Sequence, residues 1–157
     1  MSWWWCRVRN SRLLFVIVAV LTLGVACSSQ PSPLLASGPL SYPSEVTPPL
    51  ERIAIMVTIT NRGTDDLQIN AADFVARDPD HRVYASDPAA TTADANLVRL
   101  TTGPRLDALP LPTMTLRQSD VLSGFIVFDV PQGVRPVELV WRQSDTDQVA
   151  QLQPLTP

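Results

Sequence analysis

Apolar and polar positions alternate most clearly over residues 51–60. Ile53, Ile55, Val57 and Ile59 fall on one side, and Arg52, Ala54, Met56, Thr58 and Thr60 on the other. β-Branched residues at period two predict a strand with one buried face. Asn61-Arg62-Gly63 ends it as a turn. Residues 66–70 alternate again over a shorter span. Residues 73–77 and 82–84 flank Asp78-Pro79-Asp80-His81, which predicts a hairpin. Met114-Thr115-Leu116 precedes a polar break at 117–120, and residues 121–130 are then nearly all apolar. There Phe125, Val127 and Asp129 share one face, and Ile126, Phe128 and Val130 the other. This predicts a central strand covered on both sides for part of its length. Residues 137–142 and 148–153 supply the last strands, separated by a turn over 144–147. Short strands at close intervals with polar turns imply an all-β, antiparallel β-sandwich over residues 50–153, with a tail at 154–157. About 100 residues suffice for one independent core.

Three stretches depart from this pattern. In 85–112, Leu97, Val98 and Leu100 read as a short strand and Thr91-Thr92-Ala93-Asp94 as a brief helical turn, while Pro104, Pro110 and Pro112 forbid a central strand. A segment of this length is either a functional loop or structure that the pattern hides. Residues 28–49 carry Pro31, Pro33, Pro39, Pro43, Pro48 and Pro49 among serines, which reads as an extended tether. Twenty-two such residues reach at most roughly 70 Å. Residues 13–26 are an apolar run preceded by Arg7, Arg9 and Arg12.

That run is 14 residues long. As a helix it spans about 21 Å, short of the roughly 30 Å of bilayer hydrocarbon. A positive start, a short apolar core and small residues describe a secretory signal. With Leu23-Gly24-Val25-Ala26-Cys27 at its end, it resembles a bacterial lipoprotein signal, although Gly24 stands where that family prefers leucine. The resemblance implies a signal peptide or anchor helix at 1–26, lipid attachment at Cys27, and a lipidated, Pro/Ser-rich linker over 27–49. It also implies an extracytoplasmic, lipid-anchored location. The competing reading is an uncleaved anchor with Trp3, Trp4 and Trp5 at the interface.

Charge and cysteine content narrow the function. Cys6 and Cys27 are the only cysteines, so the body beyond Cys27 holds no thiol for a disulfide, nucleophile or metal site. From Cys27 onward nine arginines face fifteen carboxylates, a net charge of −6. This argues against nucleic acid and against adsorption to anionic headgroups, leaving the lipid as the membrane partner.

Ile55-Met56-Val57-Thr58-Ile59-Thr60-Asn61-Arg62-Gly63 resembles the "VTVTNNG" strand and turn of a bacterial extracellular domain of unknown function. Ala72-Asp73-Phe74 with Val75 and Asp78 is similar to its "sDFtLvD" segment. Ser123-Gly124-Phe125-Ile126-Val127-Phe128-Asp129-Val130-Pro131 is similar to "GtlvFeVP", and Val137-Glu138-Leu139-Val140-Trp141 to "aklvy". The likeness covers residues 50–153 except 85–112. It implies an immunoglobulin-like sandwich found in lipoproteins and secreted antigens, and it carries no catalytic residues.

Candidate chemistry is sparse. His81, the single histidine, lies beside Asp78 and Asp80 in a hairpin tip; one histidine and flexible carboxylates do not define a zinc site. Met56 and Met114 sit in strand patterns rather than a copper-binding cluster. Asp65, Asp66, Asp145 and Asp147 read as turn formers, outside any calcium-loop spacing. Trp141, Phe74, Phe125 and Phe128 read as core. Arg99 and Arg105 offer contacts to an anionic partner. No Gly-x-Ser-x-Gly elbow or phosphate loop is present. The sequence therefore predicts a non-catalytic binding or assembly module of the cell envelope, without cofactor or metal, meeting an envelope protein through sheet edges or through 85–112. A small-ligand or metal carrier for an envelope transporter and a wall-acting enzyme are the alternatives.

Overall fold

The computed structural model describes residues 34–102, 109–143 and 146–155. The signal at 1–26, Cys27, the first part of the tether and Arg105 lie outside the described residues. Nine strands are present among the described residues: β1 (Leu34–Ser41), β2 (Leu50–Thr60), β3 (Leu67–Ile69), β4 (Phe74–Arg77), β5 (Val83–Ala85), β6 (Met114–Leu116), β7 (Val121–Pro131), β8 (Glu138–Trp141) and β9 (Gln148–Gln153). Between β5 and β6 the described residues form two helices, α1 (Pro88–Ala93) and α2 (Ala95–Thr102).

Seven strands form one sheet in the order β5-β4-β8-β9-β1-β2-β7, and β3 pairs with β6 in a second, two-stranded sheet. The long sheet curls round until an antiparallel bridge between Ser86 and Phe128 brings its two ends together. The result is a sandwich that approaches a barrel. Its interior is one apolar cluster fed by both sheets, including Ile53, Ile55, Val57, Ile59, Ile126, Phe128, Leu139 and Trp141 from the large sheet and Ile69 and Leu116 from the small one. The alternation read in 51–60 is realised: Ile53, Ile55, Val57 and Ile59 are all buried. The predicted hairpin is the β4–β5 pair, in register from Val75 opposite Ala85 to Arg77 opposite Val83.

β7 is covered on both faces, as its unbroken apolar pattern predicts. Ile126, Phe128 and Val130 enter the main core. Phe125 and Val127 join Tyr42, Ala54, Ala90 and Val98 in a second cluster on the outer face. β2 and β7 pair along eleven residues, from Leu50 opposite Pro131 to Thr60 opposite Val121.

Two expectations are corrected. The tether over 28–49 does not extend through 34–41. Those residues are β1, paired antiparallel with β2 from Leu34 opposite Ile59 to Ser41 opposite Ile53, and in parallel with β9 at Ala36 opposite Leu152. The folded body therefore begins well before Leu50. Prolines misled the reading because Pro39 falls in a bulge between Ser37 and Leu40, where no ladder donor is required. Gly38, at φ +132°, makes the bend, and a Cβ there would stand 3.2 Å from the Ala54 carbonyl.

The short strand expected from Leu97, Val98 and Leu100 is instead part of helix α2. Only Val98 is buried, while Leu97 and Leu100 are exposed, so neither a strand nor a wide helical stripe was written there. The helical turn expected over 91–94 lies within and just after α1. Asp87 caps α1 by accepting the Ala90 amide at 2.8 Å, and Pro88 stands in its first turn.

Candidate functional site

The described parts of 85–112 lie against the sheet and organise the principal polar cluster. Arg52, on the outward side of β2, stands opposite Asp129 of β7. Its guanidinium donates to both Asp129 oxygens, at 2.6 and 3.0 Å. It also reaches Asp94, the residue that ends α1, at 3.1 Å, and Asp87, which begins α1, at 3.9 Å. Tyr42 donates its hydroxyl to the same Asp94 oxygen at 2.8 Å. Hydrogen bonding to Asp129, reinforced by Asp94, raises the Arg52 pKa further above its ordinary value. Burial, then the bond to Asp94, raises that of the Tyr42 hydroxyl. Both groups therefore keep their protons throughout the physiological range. Chemically this is a brace: one fixed cation holds three carboxylates, one from β7 and two from the ends of α1, with bidentate geometry at its centre.

A groove of about 500 Å³ runs between this segment and the start of β7. Ala71, Pro88, Leu111, Pro112 and Leu122 make it largely apolar, and Thr92 and Ser123 supply hydroxyls. Its wall follows from Gly124. A Cβ on Gly124 would stand 3.0 Å from both the Leu109 carbonyl oxygen and Leu111 Cα, so only glycine lets this stretch run against β7.

The turn residues of the sequence motifs have structural work. Asn61 is fully buried; its amide donates to the Leu116 and Asp65 carbonyls at 3.0 and 2.8 Å and accepts the Gly63 amide at 3.0 Å. It thereby ties the turn after β2 to β6. Asp78, also buried, accepts from the Asp80 and Arg82 amides, each at 2.9 Å, and from the Tyr84 hydroxyl at 2.8 Å. Burial by itself would raise the Asp78 carboxyl; these three donors outweigh it, and its pKa lies below the ordinary value.

The remaining residues singled out in the sequence are scattered. His81 is exposed in the left-handed region at φ 63°, in the hairpin tip that Asp78 holds. Trp141 is buried and stacks on Phe74, its cross-strand neighbour, at 5.7 Å between ring centres; its indole Nε1 has no hydrogen-bond partner. Phe125 and Phe128 are likewise core. Met56 packs under the helices, while Met114 is exposed on β6. Asp65, Asp66, Asp147 and Arg99 are exposed, and Asp145 lies outside the described residues. Among the described residues, no three or more His, Cys, Asp or Glu come together as a metal site. No described helix is long and apolar enough to cross a membrane.

Sequence reasoning missed the Arg52 brace and the groove. Asp87-Pro88 was a readable helix start. The Arg52–Asp129 pair needed the β2–β7 register, which no local pattern supplies.

The match to known families falls on this body. Residues 47–149 fit the model of a domain of unknown function, DUF4352, and the chain belongs to that family. Among curated proteins nothing matches it significantly. Three solved structures are similar to it. A secreted protein from Mycobacterium tuberculosis, MPT63, is 19% identical, with 75% of this chain and 80% of that one covered and a TM-score of 0.46. The yjhA protein from Bacillus subtilis is 16% identical, covering 76% and 87% at a TM-score of 0.45. The ycdA protein from Bacillus subtilis is 16% identical, covering 73% of this chain but 31% of that one at a TM-score of 0.44.

Proposed function

We propose that this chain is an extracytoplasmic lipoprotein, attached through Cys27, whose immunoglobulin-like sandwich is a non-catalytic binding or assembly module of the bacterial cell envelope. The observation that carries the non-catalytic reading is the commitment of the less exposed carboxylates to internal partners. Asp94 and Asp129 hold Arg52, and Asp78 holds a hairpin. Such groups fix a scaffold rather than stand ready to exchange protons. The address rests on the signal-like residues 1–27 and on the acidic, thiol-free body. Metabolic labelling with a palmitate analogue, followed by pull-down from solubilised membranes, tests both parts. Label is expected on the wild-type chain and absent from Cys27→Ser. An unlabelled wild-type chain refutes the anchor, and recovery of no stoichiometric partner counts against the assembly role.

A second reading is favoured by the groove, whose size and mixed lining suit a small, mostly apolar ligand. On that reading the module carries its ligand to an envelope transporter. Native mass spectrometry of protein purified from its host is then expected to show added mass that Leu111→Trp abolishes.

A further inference from the structure

The folded body starts close to the candidate attachment point. β1 begins at Leu34, seven positions after Cys27. Seven fully extended residues span at most about 25 Å, against the roughly 70 Å that a linker running to Leu50 would allow. A lipid on Cys27 therefore holds the leading end of β1 within that distance of the bilayer. β1 lies between β9 and β2, and β7 flanks β2, so these four strands share this end of the large sheet.

The outer face of the sheet at this end is open and uncharged. Leu34, Ala36, Ile59 and Leu122 turn toward the core. By alternation Leu35, Thr58, Thr60, Val121 and Ser123 turn outward. They form one patch: Leu35 stands opposite Thr58, Thr58 opposite Ser123, and Thr60 opposite Val121. Leu35 is 61% exposed and Val121 63%, while the Thr58 and Ser123 hydroxyls pair with each other at 3.0 Å. The apolar cover supplied by α1 and α2 begins only at Met56 and Phe125. Residues 34–41, 53–60, 121–128 and 148–153 hold no charged side chain, in a body whose net charge from Cys27 onward is −6. Charge borders the patch in the turns at 62–66 and 117–120, and gathers at the far end of β2 and β7 in the Arg52 brace. Anionic lipid repels such a body as a whole, so a face without carboxylates is the one that can approach it.

Given the attachment through Cys27 proposed above, on which this rests, we infer that the open face of β1, β2 and β7 lies on the lipid surface, with Leu35 and Val121 in the headgroup layer. Two aliphatic side chains are too few to hold a free protein on a bilayer. The short link makes their contact intramolecular, at an effective concentration on the order of millimolar, and a weak contact then suffices. The surrounding hydroxyls can stay hydrated among the headgroups without bringing a carboxylate there.

Tryptophan fluorescence tests this, on chains purified from the host and placed in vesicles of phosphatidylglycerol and brominated phosphatidylcholine. Trp141 is buried in the core and supplies a constant background. Leu35→Trp and Val121→Trp report the proposed face, and Leu50→Trp reports an exposed apolar position at the opposite end of β2. Interfacial side chains sit about 5–10 Å into the headgroup and acyl boundary, so quenching at Leu35→Trp and Val121→Trp is expected to exceed that at Leu50→Trp by about threefold or more. Flotation with the vesicles reports the anchor separately. A wild-type chain that floats no better than Cys27→Ser refutes the attachment and this contact with it. A chain that floats while the three variants are quenched alike, or not at all, overturns the contact alone.

Discussion

The interior of the sandwich and the segment that covers β7 are held by opposite means. The interior is a continuous apolar cluster to which nearly every strand contributes, and its residues average out local irregularity. The cover buries four described residues and depends on a few polar contacts placed with care: the Asp87 cap, the Thr91 hydroxyl and the Arg52 brace. The contrast teaches that area supplies stability in one region, while geometry supplies position in the other. Mutations should therefore separate the two regions by kind as well as by size.

The largest expected effect is in the interior. Trp141→Ala removes the stack on Phe74 and leaves a cavity, costing about 3–5 kcal/mol. Urea denaturation is expected to show one cooperative transition moved to lower denaturant; a shift under 1 kcal/mol would place Trp141 outside the core in solution. Gly124→Ala strikes the seam between the regions. Its Cβ meets backbone on the covering segment rather than a flexible side chain, so about 1–3 kcal/mol is expected. NMR shifts should change around 109–111 and 90–98 and hold in β8 and β9. The smallest effect concerns Asp78, which belongs to the hairpin alone. Its carboxyl is depressed in the folded state below the ordinary 3.8. The stability it contributes is therefore present above that value and lost as pH falls through the folded one. Asp78→Asn is expected to be less stable than wild type at neutral pH, with the gap closing in acid; a gap independent of pH would refute the assignment.

The same contrast explains what could be read in advance. β2, the β4–β5 hairpin and β7 were legible because period-two burial leaves a mark in consecutive residues. β1 was hidden by prolines. Leu34 and Ala36 are buried with Leu35 exposed between them, but that alternation stops at the Gly38-Pro39 bulge. α2 was hidden because a helix that buries Val98 alone writes no stripe. The brace was illegible for a different reason. Tyr42, Arg52, Asp94 and Asp129 meet across as many as 77 positions of sequence, and their meeting depends on the register of a sheet and the landing of a helix.

The parallel pairing of β1 with β9 has a consequence for how the large sheet holds together. β9 stands between β8 and β1, so one six-residue strand is the hydrogen-bonded joint between β5-β4-β8 and β1-β2-β7. Without 148–153 the β5-β4-β8 and β1-β2-β7 ladders lose that joint and keep the Ser86–Phe128 bridge and the shared apolar core between them. A version cut after Trp141 should be protease-sensitive throughout, rather than a slightly weakened fold.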